Sequence, residues 1–196
     1  EKVSRMSTAS STTATAHPTP PAELDAWIAR EDALRQCERL GPGVATPQQI
    51  AGLTGLQMMR GMMDGTLPSA TMAHTLDYLL VEVDDGLAVF QGTPGAAHLN
   101  PMGTVHGGWF ATLLDSALGC AVHTRMPPGR GYTTAEFSIN IVRALTPKVP
   151  RVRAIGQVVH SGRQLATAEG RLVGPDGTLY AHATTTCLVF DLKPPG

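Results

Sequence analysis

The sequence predicts an α+β fold in which a largely antiparallel β-sheet surrounds one long central helix. A strongly apolar stretch from His106 to about Thr124 is long enough for about five helical turns. Six β-rich runs flank this stretch, two before it and four after it, and tight-turn motifs separate the later runs. The pattern has no crossover helices between the later runs, which excludes a parallel nucleotide-binding sheet.

The N-terminal part of the chain divides into a tail and a helical extension. Residues 1–21 are rich in Ser, Thr, Ala and Pro and predict a disordered tail, without the apolar core of a secretory signal. Residues 22–71 predict two helices. The first, Ala22–Leu40, has helical apolar spacing and ends at a Gly-Pro-Gly turn. The second begins at Thr46, an N-cap followed by proline, and presents one apolar stripe made of Ile50, Leu53, Leu56 and Met59.

Residues 72–192 contain the central helix and all six predicted strands. An Asp-Asp-Gly turn joins Asp77–Val83 to Leu87–Thr93, so these two runs predict a hairpin. Residues 97–104 form a loop before the central helix, and a Pro-Pro-Gly motif follows the helix. The remaining predicted strands are Tyr132–Val142, Val152–His160, Gln164–Val173 and Thr178–Phe190.

The strongest functional signal lies in residues 100–115, NPMGTVHGGWFATLLD. His106, Gly107 and Gly108 occupy the point where a loop becomes the central helix, and the two glycines leave backbone N–H groups uncovered. Such groups, at the positive end of the helix dipole, can bind a carbonyl oxygen or an anion. Asp115 is the only charged residue between His106 and Arg125. Because a carboxylate in so apolar a helix is costly unless it is paired or chemically active, the pattern indicates a site that polarises and attacks a carbonyl.

The spacing of these groups on one helix predicts a site shared between two chains. Nine residues on a straight helix turn Asp115 about half a turn away from His106 and about 13.5 Å along the axis. One helix therefore cannot easily aim its N-terminal amides and Asp115 at the same bond. If both act on one substrate, Asp115 comes from a second copy across a two-fold interface, which predicts a homodimer.

These residues also carry a family resemblance. The motif N-P-x-G-x-V-H-G-G-x-x-A-x-L-x-D at residues 100–115 resembles the signature of PaaI-like hotdog-fold acyl-CoA thioesterases, the phenylacetate-pathway type. TAEFSINIVR, from Thr134 to Arg143, is similar to a strand of that family, and Gly156–Arg171 resembles the strand pair that follows. The resemblance spans about Met72 to Leu192. It implies a hotdog fold, a helix wrapped by a curved antiparallel sheet, assembled into homodimers or homotetramers.

The resemblance also implies roles for individual residues in thioester hydrolysis. Asp115 serves as general base or as nucleophile, and the sequence does not choose between the two. The Gly107 N–H serves as the oxyanion donor. Asn100 and His106 lie beside the carbonyl, although Asn100 can equally be a turn residue and His106 a helix cap. A hydroxyl at the start of the next strand binds the carboxylate, and Thr134 matches that position best, with Thr133 as the rival.

Substrate binding is less clearly encoded. The phosphates of coenzyme A would need cations, and Arg143, Lys148, Arg151 and Arg163 are the candidates, with Arg143 and Arg163 preferred. Gly108 joins them as a backbone contact. A Met cluster at residues 58, 59, 62 and 63 has two interpretations, the lining of an acyl pocket or ordinary helix packing. Histidine spacing matches no metal motif, so no metal or other cofactor is expected.

Composition narrows the setting and the partners. The net charge of −1 and the pI near 6.7 give no basic footprint for nucleic acid, and no apolar run is long enough for a membrane span. Three cysteines without C-x-x-C spacing predict reduced thiols in a cytoplasmic protein. The alternatives to a thioesterase are a non-catalytic acyl-CoA sensor or scaffold on the same fold, and a hotdog dehydratase or hydratase, whose motifs the chain lacks.

Overall fold

The structure, a computed structural model, describes residues 20–37 and 40–192. The helices are α1 (Pro20–Cys37), α2 (Pro47–Ile50), α3 (Gly55–Met63), α4 (Thr71–Thr75) and α5 (Gly107–Thr124), with a 3-10 turn at Ala96–His98. The strands are β1 (Tyr78–Asp84), β2 (Leu87–Gly92), β3 (Arg130–Ile141), β4 (Val152–Ser161), β5 (Leu165–Val173) and β6 (Leu179–Asp191). The predicted tail lies outside the described residues, apart from the two prolines at positions 20 and 21 that begin α1.

The six strands form one antiparallel sheet in the order β1-β2-β4-β5-β6-β3. The two strands that come directly before and after α5 in the chain, β2 and β3, are therefore separated by three others, and β1 and β3 form the two edges. Helix α5 contacts all six strands from one face. The predicted hotdog fold is confirmed, and each predicted strand agrees with an observed one to within two residues at either end.

The sheet comes unusually close to the central helix where glycine replaces a side chain. A Cβ atom on Gly156 of β4 would lie 2.3 Å from the carbonyl oxygen of Ala117 in α5. No larger residue fits there without moving the helix, because real Cβ atoms do not approach backbone oxygens so closely. Glycine on the strand and alanine on the helix together allow the sheet to wrap α5 tightly.

One side of α5 is packed into the sheet, and the sheet leaves the other side open, with α3 packing against part of it. Its sheet-facing side chains are completely buried, namely Leu113, Leu114, Ala117, Leu118, Ala121 and Val122. The opposite side carries half-buried polar or small residues one helical turn apart, namely Thr112, Asp115, Ser116 and Cys120. We call these four residues the open stripe of α5. It lies between the two edge strands, with Tyr78 of β1 contacting it from one side and Thr134 of β3 from the other.

The second predicted helix is wrong, because the chain forms two short helices in its place. Thr46 caps α2 and Thr54 caps α3, and each threonine forms a capping box with the glutamine three residues later, Gln49 or Gln57. Between them Gly52 has a φ of 75°, a left-handed conformation that a continuous helix does not contain. Two successive capping boxes therefore determine the break, and the short helix α4 was not predicted at all.

Helix α1 covers the outer face of the sheet, on the side away from α5. Its Trp27, Glu31 and Leu34 are buried, and Leu34 packs against Val81 and Val89. The Glu31 carboxylate, with its side chain 5% exposed, accepts hydrogen bonds from Gln91 Nε2 at 2.8 Å and Arg151 Nε at 2.7 Å. The predicted end of this helix at Leu40 is wrong, since α1 ends at Cys37 and Leu40 lies in a bend.

Candidate active site

Asp115 is held by the edge strand β3. Thr134 Oγ1 donates a hydrogen bond to Asp115 Oδ1 at 3.0 Å, and the carboxylate is half-buried on the open stripe of α5. Thr133 points to the other face of the sheet, because it is exposed and opposes exposed Leu188 on β6. A bulge follows at Ala135, where the register with β6 shifts. Of the two predicted threonines, only Thr134 therefore contacts the carboxylate.

The side chains around Asp115 are weak acids that stay protonated near neutral pH. Burial and the neighbouring Asp115 charge together raise the pKa of the Cys120 thiol to about 12, against a hydrogen bond from Tyr132 that lowers it. Burial likewise raises the pKa of the Tyr132 phenol well above its usual value. A thiol in that state is a poor nucleophile. Asp115 therefore remains the candidate reactive group of this cluster, as the sequence predicts.

The loop that enters α5 is organised by His106. His106 is the N-cap of the helix, and its Nδ1 atom accepts a hydrogen bond from Gly108 N at 2.9 Å. Its own backbone N–H donates to the carbonyl of His98 at 2.7 Å, and the His98 ring stacks on Trp109 at 5.3 Å. The Gly108 N–H is thus already used inside the loop. The Gly107 N–H lies at the first position of the helix, where the helix itself offers no acceptor.

The side chain of Asn100 is used within its own turn. Asn100 Oδ1 accepts hydrogen bonds from Met102 N at 2.9 Å and Thr104 N at 3.2 Å, and Nδ2 donates to Thr104 Oγ1 at 2.8 Å. These bonds form an Asx-type turn. Asn100 therefore shapes the loop that leads to His106. These hydrogen bonds agree with the second of its two predicted roles, that of a turn residue.

Within one chain the two halves of the predicted site do not meet. Asp115 lies eight residues beyond Gly107 on α5, which corresponds to about 12 Å along the helix axis. A Cβ on Gly107 would lie 3.2 Å from Ile141, at the end of β3, whereas Asp115 bonds Thr134 near the start of that strand. The structure therefore brings Asp115 together with Thr134, and His106 together with Gly108, as two separate pairs.

The predicted cations are also spread over the molecule. Arg143 is exposed just after β3, whereas Arg163 lies in the β4–β5 turn, where its carbonyl accepts a hydrogen bond from Arg130 at the start of β3. Lys148 is exposed, and Arg151 is engaged by Glu31. Arg143 and Arg163 thus lie at opposite ends of β3, and Arg151 serves to hold α1.

Sequence reasoning missed the polar pair beside Asp115. Tyr78 Oη and Ser116 Oγ are 3.1 Å apart, and they lie where β1 meets the open stripe. Burial raises the pKa of Tyr78, against the hydrogen bond with Ser116, which lowers it. The signal was available in the sequence, because small or polar residues recur at helical spacing through the otherwise apolar α5.

Two further properties of the described residues bear on the type of site. In the ranges 20–37 and 40–192, no group of three His, Cys, Asp or Glu side chains gathers closely enough to hold a metal ion. Over the same ranges, every helix is too short or too polar to cross a membrane.

Comparison with known proteins identifies the family. Residues 102–181 match the model of the thioesterase superfamily. The phenylacetic acid degradation protein PaaI of Thermus thermophilus, in a mutant form, has a similar structure with 30% identity and a TM-score of 0.54, and the match covers 60% of this chain and 96% of that one. The chain belongs to the PaaI-like thioesterases. It is a thioester hydrolase.

Other solved structures place this PaaI-like thioesterase in the same group. A phenylacetic acid degradation-related protein from Ralstonia eutropha JMP134 is 27% identical with a TM-score of 0.61, over 66% of this chain and 98% of that chain. The PaaI protein of Escherichia coli, at 22% identity and a TM-score of 0.57, shares the fold over 64% of this chain and 89% of its own. No curated protein matches the sequence.

Proposed function

We propose that this PaaI-like thioesterase hydrolyses a small or medium, aliphatic or aryl, acyl-CoA to the free acid and coenzyme A. The observation that carries the proposal is the half-buried Asp115 carboxylate, oriented by Thr134 on the one open side of an apolar helix. A carboxylate so oriented can accept a proton from water or attack a carbonyl carbon directly. The cytoplasm, where acyl-CoA esters are available, is the expected compartment.

Both chemical routes need an oxyanion donor, and the Gly107 N–H fits that role. In the general-base route, water attacks the thioester carbon while Asp115 takes its proton, and the C–S bond then breaks as the thiolate of coenzyme A takes a proton. In the nucleophilic route, Asp115 forms a mixed anhydride, which water hydrolyses after the thiolate has left. The negative charge on the carbonyl oxygen is stabilised in either case by a helix N-terminal amide.

We further propose that the site is completed by a second copy of the chain. β3 is an edge of the sheet and, within the described residues, pairs only with β6. Its twelve residues therefore offer free backbone groups to another strand. Antiparallel pairing of two β3 strands about a two-fold axis would join the sheets of two chains, and a further two-fold pairing would give a dimer of dimers.

The bulge in β3 supports one register of this pairing. If Ser138 faces Ser138 of the second copy, Ile139 faces Phe137, and both of these half-buried residues pack toward the helix side. Continuing outward, the bulge at Ala135 absorbs one residue, so that Ile141 approaches Thr134 of the second copy. Since Ile141 lies beside Gly107, this register brings Asp115 of one chain toward the Gly107 amide of the other.

The same pairing would gather the two preferred cations. Arg143 follows the end of β3, and Arg163 bonds the start of β3 through Arg130. Antiparallel pairing aligns the end of one strand with the start of the other, so Arg143 would lie near Arg163 of the second copy. Two arginines from different chains then flank each composite site, where they can bind the phosphates of coenzyme A.

The deciding experiment is release of free coenzyme A from a panel of acetyl-, butyryl-, hexanoyl-, decanoyl-, benzoyl- and phenylacetyl-CoA by the wild type and Asp115→Asn. We expect turnover of at least one ester by the wild type, and near-complete loss in a variant that remains folded and oligomeric. Tight binding of the panel without turnover would support the sensor alternative instead. Turnover that survives in Asp115→Asn would remove Asp115 from the mechanism.

A further inference from the structure

We propose that the N-terminal helices build the acyl-binding pocket of this thioesterase, and that this pocket takes an apolar group of about six carbons. The inference rests on the proposed function for the position of the reacting carbonyl. It assigns a role in substrate selection to α3 and α4, which precede the residues matched by the thioesterase model.

A cavity of about 130 Å³ lies between α3, α4, β1 and the open stripe of α5. Met59, Met62 and Met63 of α3 form one wall, Phe90 contributes from β2, and Ser116 and Cys120 form the floor on α5. The walls are therefore mostly apolar and flexible, since methionine side chains adapt to the shape of a ligand. Met58, the fourth member of the predicted Met cluster, does not line the cavity.

The cavity adjoins Asp115 through the open stripe. Ser116 follows Asp115 directly, and both residues lie on the side of α5 that the sheet leaves open. Tyr78 also lines the cavity, and its hydroxyl lies 3.1 Å from that of Ser116. Asp115 itself does not line the cavity, but its neighbour Ser116 does, so an acyl group held between the methionines would lie beside the carboxylate.

The size of the cavity limits the acyl group. A dry apolar cavity of about 150 Å³ in another protein accommodates one benzene molecule. By this comparison, the cavity of 130 Å³ can hold one phenyl ring or an alkyl chain of about six carbons. Arg35 and His74 supply further polar lining, and Arg35 is ion-paired with Glu31 and Asp77, so a longer chain would have to contact these groups. Apolar carbon gains nothing from contact with those charges.

The test measures binding without turnover. S-methyl-, S-butyl-, S-hexyl- and S-decyl-CoA are thioethers that the enzyme cannot hydrolyse, and calorimetry gives their dissociation constants with the full-length wild type. Each buried methylene should tighten binding about fourfold. We expect this gain up to S-hexyl-CoA and no further gain at S-decyl-CoA. S-phenethyl-CoA, with its ring, distinguishes an aryl from an alkyl preference.

Matched variants test whether the alkyl group of the ligand binds in this cavity. Met62→Trp should fill the cavity. The dissociation constants of S-hexyl- and S-methyl-CoA should then differ by less than about fivefold, because the methylene groups of the hexyl chain are no longer buried. Met72→Trp, on α4 with Met72 54% exposed, makes the same replacement outside the cavity and should keep the full difference. Ala73→Phe, which fills the cavity from α4, provides a second variant if Met62→Trp folds poorly.

The outcomes separate this inference from the proposed function. Equal affinity for all four alkyl thioethers, or an unchanged length dependence in both filling variants, overturns the pocket even if acyl-CoA hydrolysis is found. A length preference that ends at six carbons and disappears only in the filling variants supports the pocket, even if no ester of the panel is hydrolysed.

Discussion

Thr134 Oγ1 donates a hydrogen bond to Asp115 Oδ1 at 3.0 Å, which connects the only carboxylate of the central helix to the edge strand of the sheet. The bond restricts the carboxylate to one orientation. It also means that any change in the position of β3 is transmitted directly to Asp115. The strand that would pair with a second copy is therefore the strand that orients the proposed catalytic group.

Replacing Thr134 with valine should slow turnover without disturbing the fold. The variant keeps the shape of the side chain and removes one hydrogen bond to a charged group, worth about 1.5–3 kcal/mol, so kcat should fall by roughly 10- to 100-fold. Steady-state kinetics with the best ester of the panel measures the effect. Thr133→Val is the matched comparison, because Thr133 lies on the opposite face of β3. A larger loss in Thr133→Val than in Thr134→Val would contradict the assignment.

The contribution of the Gly107 amide can be isolated by a proline. Proline is tolerated at the first position of a helix, and His106 before it already has the extended ψ of 137° that a following proline requires. Gly107→Pro therefore deletes one N–H while keeping the helix. We expect a loss of about 10²- to 10³-fold in kcat, as for other oxyanion donors.

Gly107→Ala is the control for that experiment. It retains the N–H and introduces the same Cβ, which would lie 3.2 Å from the flexible end of Ile141. Comparable losses in the alanine and proline variants would mean that crowding at Ile141, and not the missing donor, explains the effect.

Mixing two inactive variants tests the shared site. In a mixed dimer of Asp115→Asn and Gly107→Pro, one composite site contains both defects and the other contains neither. Random exchange makes half of the dimers mixed, so about a quarter of the wild-type activity should return. Activity is measured after co-refolding, and mass spectrometry verifies the mixed dimers. If verified mixed dimers stay inactive, the site lies within a single chain.

The Glu31 network predicts a pH-dependent attachment of α1. Burial of the Glu31 carboxylate opposes ionisation, but hydrogen bonds from Gln91, Arg151 and Arg35 outweigh it and lower its pKa from 4.5. Because the pKa is lower in the folded state, the stabilisation is complete above 4.5 and is lost as the pH falls through the folded-state pKa. Glu31→Gln should lower the free energy of unfolding by about 3 kcal/mol at pH 7.

Urea unfolding of wild type and Glu31→Gln at pH 7 and pH 3.5 measures this effect, and the difference between the two proteins should shrink in acid. Asp32→Asn removes the neighbouring exposed carboxylate of α1 and should leave the stability within about 0.5 kcal/mol of wild type. A constant difference at both pH values would show that the ionised carboxylate is not the source of the stabilisation.

The sequence predicted those features that depend on local pattern. The hairpin at residues 84–86, the start of α5 at His106 and the later strands follow from turn residues and apolar periodicity, and the structure contains them. The break after α2 has a local capping signal, Thr54 with Gln57, but the continuous apolar stripe of this segment favours one unbroken helix and conceals the break. The contact of Glu31 with Arg151 joins residues 120 positions apart, and no local pattern reports such a pair.

Packing decides the remainder of the candidate site. The role of Thr134 followed from a family resemblance, whereas its choice over Thr133 depended on which face of β3 turned toward α5. A single-residue bulge at Ala135 changes that facing partway along the strand. The sequence alone does not distinguish a cavity beneath α3 from a filled core, because methionines that line a cavity and methionines that fill a core have the same spacing.

The cavity beneath α3 and the close contact between Gly156 and Ala117 should differ in local stability. Backbone amides open and exchange their hydrogens most readily where few apolar contacts hold the backbone. Amide hydrogens of α3 and α4 should therefore exchange with solvent before those of α5 and β4. Filling the 130 Å³ cavity, with a ligand or through Met62→Trp, should slow the exchange in α3 and α4.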